Sequence, residues 1–84
     1  MKQLRFTVTE DDIKNGRPHS YSFCPIALAI KRTTRSLWVN VYGDVANVSI
    51  DRYRTTRSAR KFIHRFDTGG SVKSQSFRFP VDAY

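Results

Sequence analysis

A five-residue segment, RTTRS, occurs twice without change, at Arg32–Ser36 and at Arg54–Ser58. Guanidinium groups flanked by hydroxyls are hydrogen-bond donors suited to phosphate or carboxylate oxygens. The surrounding chain deepens the bias. From Lys31 to Arg65 nine Lys and Arg residues face only Asp44 and Asp51, a net +7 over that stretch. Cations crowded in this way repel one another unless an anion sits among them. The candidate set for a phosphate-rich or acidic partner is Lys31, Arg32, Arg35, Arg52, Arg54, Thr56, Arg57, Arg60, Lys61, His64 and Arg65. Thr55 or Thr56 would cap a helix whose free N–H groups face this cluster. Arg57, in its first turn, would oppose the helix dipole unless something negative compensates. The plainer alternative is a solvated basic face whose arginine stems cover the edges of the core.

Cys24 is the other residue that could do chemistry. It precedes Pro25 at an expected helix start, where a thiolate is stabilised, and His19 lies five residues upstream. A nucleophile–base pair would give a thiol-dependent enzyme. No third orienting group accompanies the pair, so a small buried cap residue is the stronger reading of Cys24. Two histidines and one cysteine at no standard spacing do not make a metal site. No catalytic residue, metal or cofactor is therefore expected. Trp38 and Tyr42 lie on the opposite strand phase from Leu37 and Val41, and would project from an uncovered sheet face. With Tyr53 they are candidate protein-contact aromatics, for a partner or for a second copy in a homodimer. Packing of Trp38 and Tyr42 beneath the Arg17–Phe23 loop is the alternative.

The elements that must position these residues are constrained by size. The chain has 84 residues, a formal charge of +8 and a pI near 10.3. That is one domain, 1–84, too short for a dinucleotide-binding sheet or a (β/α)-barrel. Hydrophobic residues make up 39% and aromatics 13%, enough for a compact aromatic core rather than a disordered chain. A single Cys excludes an internal disulfide. The first residues lack the apolar run of a secretion signal, and Pro25–Ile30 is too short to span a membrane. A cytoplasmic protein with an acidic partner and no membrane association is the expectation.

Leu4, Phe6 and Val8 alternate with polar residues as a half-buried strand. Thr9 followed by three acids opens a helical turn around Ile13 that Asn15–Gly16 ends. Cys24–Pro25 begins a helix, apolar on all sides, that closes on Lys31 and Arg32. Leu37, Val39 and Val41 form a second strand. Gly43–Asp44 is its turn, and Ala46, Val48 and Ile50 are the hairpin partner, extended through Arg52–Arg54. Asn47, Ser49, Asp51 and Tyr53 then face outward. Thr56–Asp67 reads as an amphipathic helix: Ala59, Phe62, Ile63 and Phe66 on one side, Arg57, Arg60, Lys61, His64 and Arg65 on the other. Gly69–Gly70 ends it. Phe77, Phe79 and Val81 point inward from a last strand that Pro80 marks as an edge or an end. The order is that of an α+β, β-α-β-β-α-β sandwich with ferredoxin-like connections. It implies helices on one face of a four-stranded antiparallel sheet. A hairpin of this kind would carry both RTTRS copies to the same end of the sheet.

That element order invites comparison with RNA-recognition motifs, which stack bases on exposed strand aromatics. Only Tyr53 would be available here, and no aromatic–glycine run occurs. Nucleic acid would instead be held through its phosphates along the Thr56–Asp67 helix, largely without sequence readout.

Four stretches, VTEDDIKNGRP, FCPIALAI, ARKFIHRFDTGG and FRFPV, resemble a group of small bacteriophage-encoded proteins. These carry a Cys-Pro-[Ile/Val]-Ala-x-Ala helix and an FI-x-x-FD-x-G helix. Members often have another cysteine just before the Cys-Pro pair, where this chain has His19–Phe23, so two-thiol chemistry is not available to it. The resemblance transfers no catalytic or binding residues. It implies a phage-type accessory protein in a bacterial cytoplasm, acting in host takeover or against host defence. The resulting expectation is a non-enzymatic binder of nucleic acid, a nucleotide or an acidic host protein. The rival is a protein–protein inhibitor that uses Trp38, Tyr42 and arginines without nucleic acid.

Overall fold

The computed structural model describes residues 3–82. They form an α+β domain of five strands in antiparallel sheets and three helices. Strand β1 (Gln3–Val8) buries Leu4, Phe6 and Val8 and exposes the residues between them. It pairs with β5 (Gln75–Pro80), setting Phe6 opposite Phe77 and Leu4 opposite Phe79. The Phe6 and Phe79 rings meet edge-on at 5.0 Å, and Phe77 lies 5.7 Å from Phe6. The aromatic residues anticipated from composition thus form the centre of the core.

Helix α1 (Glu10–Asn15) starts in a capping box: the Asp12 N–H donates to the Thr9 side chain, and the Thr9 N–H donates to Asp12 Oδ2 at 2.9 Å. Gly16 follows because α2 passes close by. A Cβ there would sit 2.6 Å from Pro25 Cδ and 2.8 Å from the Asp12 carbonyl. Helix α2 (Pro25–Thr34) has Cys24 as its cap and Pro25 in its first turn, as the sequence suggests. Ile26, Ala27, Ala29 and Ile30 are fully buried, each isoleucine contributing about 2–3 kcal/mol by leaving water.

Strands β2 (Val39–Val41), β3 (Val45–Val48) and β4 (Asp51–Arg54) form a three-stranded meander. It joins the other sheet through a single antiparallel bridge, Tyr53 to Val81, and the Asp82 N–H donates to the Arg52 carbonyl at 2.9 Å. Across both sheets the strands therefore run β1, β5, β4, β3, β2. Helix α2 packs on β1 and on β2, the two ends of that series, so the strands curl around it. Helix α3 (Arg57–Asp67) lays Ala59 and Phe62 on the same inner side, with the Phe62 ring 5.6 Å from Phe77.

This corrects the expected four-stranded sheet with ferredoxin-like order. Ala46–Arg54 is not one strand. The chain reverses at Ser49–Ile50, with Ser49 in the left-handed region at φ 55°, and β4 returns along β3. The added turn changes the side-chain phase. Tyr53, expected outward, is buried, and Arg52 and Arg54 are exposed instead. Ile50, expected inward, is 98% exposed at the turn, and Leu37 lies outside β2 at 83% exposed. β1 pairs with β5 alone rather than taking the interior position of a ferredoxin-like sheet.

Candidate anion-binding surfaces

Helix α3 gathers the larger part of the expected cluster. Thr56 is its N-cap, and its side chain accepts from the Ala59 N–H at 3.3 Å. With Ala59 and Phe62 turned to the core, Arg57, Arg60, Lys61, His64 and Arg65 line one shallow recess on the solvent side. Arg60 is oriented from below: its guanidinium donates to the Thr55 carbonyl at 3.1 Å and to Thr55 Oγ1 at 3.3 Å. Buried Thr55 in turn donates to the Gly43 carbonyl at 2.9 Å, which ties the helix start to the β2–β3 turn. Among the described residues no carboxylate pairs with Arg57, Lys61, His64 or Arg65. The first turn of α3 contains no acidic residue. At the other end Gly69, at φ 85°, lets the Gly70 N–H reach the Arg65 carbonyl at 2.7 Å.

The rest of the set is dispersed. Lys31 donates to the Ser22 carbonyl at 2.6 Å and lies 4.0 Å from the Phe23 ring centroid, pinning the loop before α2. Arg32 pairs with Asp12 and also donates to the Thr7 carbonyl at 2.8 Å. Arg52 and Arg54 share Asp82, at 3.1 and 3.2 Å. Arg35 ends α2 in the left-handed conformation, exposed beside Leu37 and Trp38.

The two RTTRS copies do not meet. The first approaches the Trp38 end of β2, where the Ser49 N–H donates to the Trp38 carbonyl at 2.7 Å. The second leaves β4 beside Gly43–Asp44, where the Thr55 N–H donates to the Asp44 carbonyl at 3.0 Å. Those ends are separated by the length of β2, three residues and roughly 10 Å at about 3.4 Å per residue. The Ser49–Ile50 reversal is the cause: one extra strand carries the second copy to the opposite end.

Two arginines outside the expected set are brought together. Arg5 on β1 and Arg78 on β5 are register partners on the outer face of the sheet, opposite the buried side chains of Leu4, Phe6, Phe77 and Phe79. Alternation alone shows each to be outward; their pairing depends on a register between strands at opposite ends of the described chain, which is invisible to local pattern.

The aromatic candidates separate as well. Tyr42 meets Tyr21 in a tilted contact at 4.8 Å between ring centroids, so it packs with the Arg17–Phe23 loop. Trp38 is 77% exposed and, with Leu37 and Ile50, forms an apolar tip at the far end of the meander. Tyr53 is in the core and offers no surface.

Cys24 lies in a small cavity that His19 and Asp67 also line. A carboxylate is present as well, Asp67, the last residue of α3. The His19 backbone N–H donates to Asp67 Oδ1 at 2.9 Å, while its ring Nδ1 is 3.8 Å from Oδ2, beyond hydrogen-bond reach. Even so, Cys24 is 2% exposed, and burial, reinforced by the Asp67 charge, pushes its thiol above the ordinary value. Its sulfur accepts the Ala27 N–H at 3.4 Å as the helix cap. A neutral, enclosed thiol is a structural group and a poor nucleophile.

Among the described residues no group of three or more His, Cys, Asp or Glu side chains is placed to hold a metal ion. No described helix is long and apolar enough to cross a membrane. Compared with protein-family models, curated proteins and solved structures, the chain finds no match in any of the three.

Proposed function

We propose that this is a non-enzymatic binding protein that engages a phosphate-rich partner, nucleic acid foremost, through the solvent face of α3. The observation that carries this reading is the set Arg57, Lys61, His64 and Arg65, with the oriented Arg60, on one helix face with no carboxylate among them. A helix with an uncompensated cationic face can track a phosphate backbone, releasing counterions as it binds. It carries no built-in readout of base edges, so affinity is general rather than sequence-specific. The resemblance of four segments to phage-encoded proteins adds a setting: a host-takeover or anti-defence factor acting on nucleic-acid machinery in a bacterial cytoplasm. The test is direct binding of duplex DNA, structured RNA and free nucleotides at low salt. Failure of all three to bind removes the reading.

The exposed Leu37–Trp38–Ile50 tip favours a second reading, an inhibitor that docks on a host protein through this apolar patch. Trp38→Ala should then abolish capture of that protein with no change in melting temperature, because the ring makes little contact with its own fold. Retention of the partner by the variant counts against the tip.

A further inference from the structure

We propose that Arg5 and Arg78 form a second oxyanion site, on the open face of the sheet, that takes a phosphate group. The argument begins with hydrogen-bond phase. The Thr7 carbonyl accepts from Arg32, and Pro80, opposite Gln3, has no N–H to give to β1; both fit the ladder phase in which Thr7 and Ser76 are a non-hydrogen-bonded pair. Their hydroxyls meet at 2.8 Å, as close cross-strand neighbours should. Two residues along, Arg5 and Arg78 occupy the same class of pair, the one with the shortest separation, about 4.5 Å between Cα atoms.

Two like charges directly opposite in that class destabilise a sheet. Among the described residues neither arginine has a carboxylate partner. Arg5, Arg78, Thr7, Ser76 and the end of α2 at Arg32–Thr33 line one open pocket. Guanidinium forks beside the one hydroxyl proton that the Thr7–Ser76 bond leaves free match the oxygens of a phosphate monoester or diester. A bound phosphate converts the repulsive pair into a clamp. This face looks away from α3, whose apolar side packs on the inner surface of the same β5 strand. The site is therefore independent of the proposed α3 surface and does not rest on it.

The experiment replaces chloride with inorganic phosphate at constant ionic strength and follows thermal unfolding of the full chain. The variants are Arg5→Gln/Arg78→Gln and, separately, Arg57→Gln/Lys61→Gln/Arg65→Gln. The general salting effect of phosphate is common to all three proteins, so the difference between them is the readout. Without phosphate, the sheet variant should melt a few degrees higher than the parent, because like-charge repulsion is gone. On adding phosphate, the parent and the α3 variant should gain several degrees more than the sheet variant. Amide resonances of Thr7 and Ser76 should shift in the parent. An equal gain in the sheet variant overturns the proposal. A gain lost only in the α3 variant overturns it too, while leaving the α3 reading in place. A phosphate gain specific to Arg5 and Arg78, in a protein that binds neither DNA, RNA nor nucleotides, would support this site and reject the α3 reading. A short DNA duplex in place of free phosphate distinguishes the two sources: shifts at Thr7 and Ser76 with duplex assign the site to backbone phosphates, and shifts with free phosphate alone assign it to a small ligand.

Discussion

Neutralising α3 should change how binding depends on salt as well as how tight it is. The solvent face of the helix presents four permanent cations, Arg57, Arg60, Lys61 and Arg65. If each neutralises one phosphate of a duplex, log affinity should fall against log salt with a slope of about −3.6, at about 0.9 per phosphate. Between 50 and 200 mM salt, that is a loss of roughly 150-fold. Changing Arg57, Lys61 and Arg65 to Gln leaves Arg60, and the slope should shrink to about −0.9, a loss of only about 3- to 4-fold over the same range. Fluorescence anisotropy with a labelled duplex, measured at four or five salt concentrations, gives both slopes.

Misfolding of the triple variant is checked by its thermal unfolding. Arg57 is the first residue of α3, at the positive end of its dipole. Removing that charge should stabilise the helix by about 0.3–1 kcal/mol, and removing Arg65 from the last turn should cost about as much, so the variant should melt close to the parent. A salt slope unchanged in a fully folded triple variant would refute the assignment of these side chains to the contact. So would parent binding that is insensitive to salt.

Two other side chains give independent checks. Arg32→Ala removes the partner of Asp12, a carboxylate with only 7% of its side chain exposed, and also the donor to the Thr7 carbonyl. Because Arg32 is half exposed and Asp12 keeps its Thr9 bonds, the cost should be about 1–2 kcal/mol. This appears as a urea midpoint lower by about 1–2 M with unchanged slope, and an unmoved midpoint would show the pair to be screened. Cys24 has a folded-state pKa raised by burial, so its neutral form favours the folded protein. Its contribution is fully present below the unfolded thiol value of 9.0 and is lost as pH rises from there through the folded value. Relative to Cys24→Ala, the parent should therefore lose stability above that pH, and its thiol should resist iodoacetamide at pH 7 until the protein unfolds. Rapid native alkylation would revive a reactive role for Cys24.

Most of the secondary structure was legible because its signals are local. Thr9, Cys24–Pro25, Thr56 and Gly69–Gly70 mark helix ends through groups that act within a few residues, and all function as expected. The basic face of α3 follows from the same periodicity. The Ser49–Ile50 turn carries no such signal. It has neither glycine nor an Asn-Gly pair, and Ala46, Val48 and Ile50 continue an alternation that a longer strand satisfies equally well. Its left-handed residue is a serine, so nothing in the composition of that stretch announces it. Two features of the fold follow from this turn. Tyr53 turns inward, and the RTTRS copies sit at opposite ends of the meander.

The repeat illustrates why identical segments need not share a role. In the first copy Arg32–Thr34 close α2 and Arg35 caps it; in the second Arg54 ends β4, Thr55 is buried and Thr56 starts α3. Neither threonines nor arginines prefer strand, cap or helix end strongly enough to decide, so the elements on either side do. What places cations together in this molecule is tertiary: one helix face that local periodicity exposes, and one strand register that it cannot. The α3 surface could be proposed from sequence because one element contains it. The Arg5–Arg78 pair could not, because its two halves come from opposite ends of the described chain and are neighbours only once β1 and β5 have chosen their register. A one-residue slip of that register would set Arg5 opposite a phenylalanine and turn the core residues of one strand outward. The same burial of Leu4, Phe6, Phe77 and Phe79 that fixes the core therefore also fixes the two guanidiniums side by side, and their repulsion is outweighed by the packing beneath them.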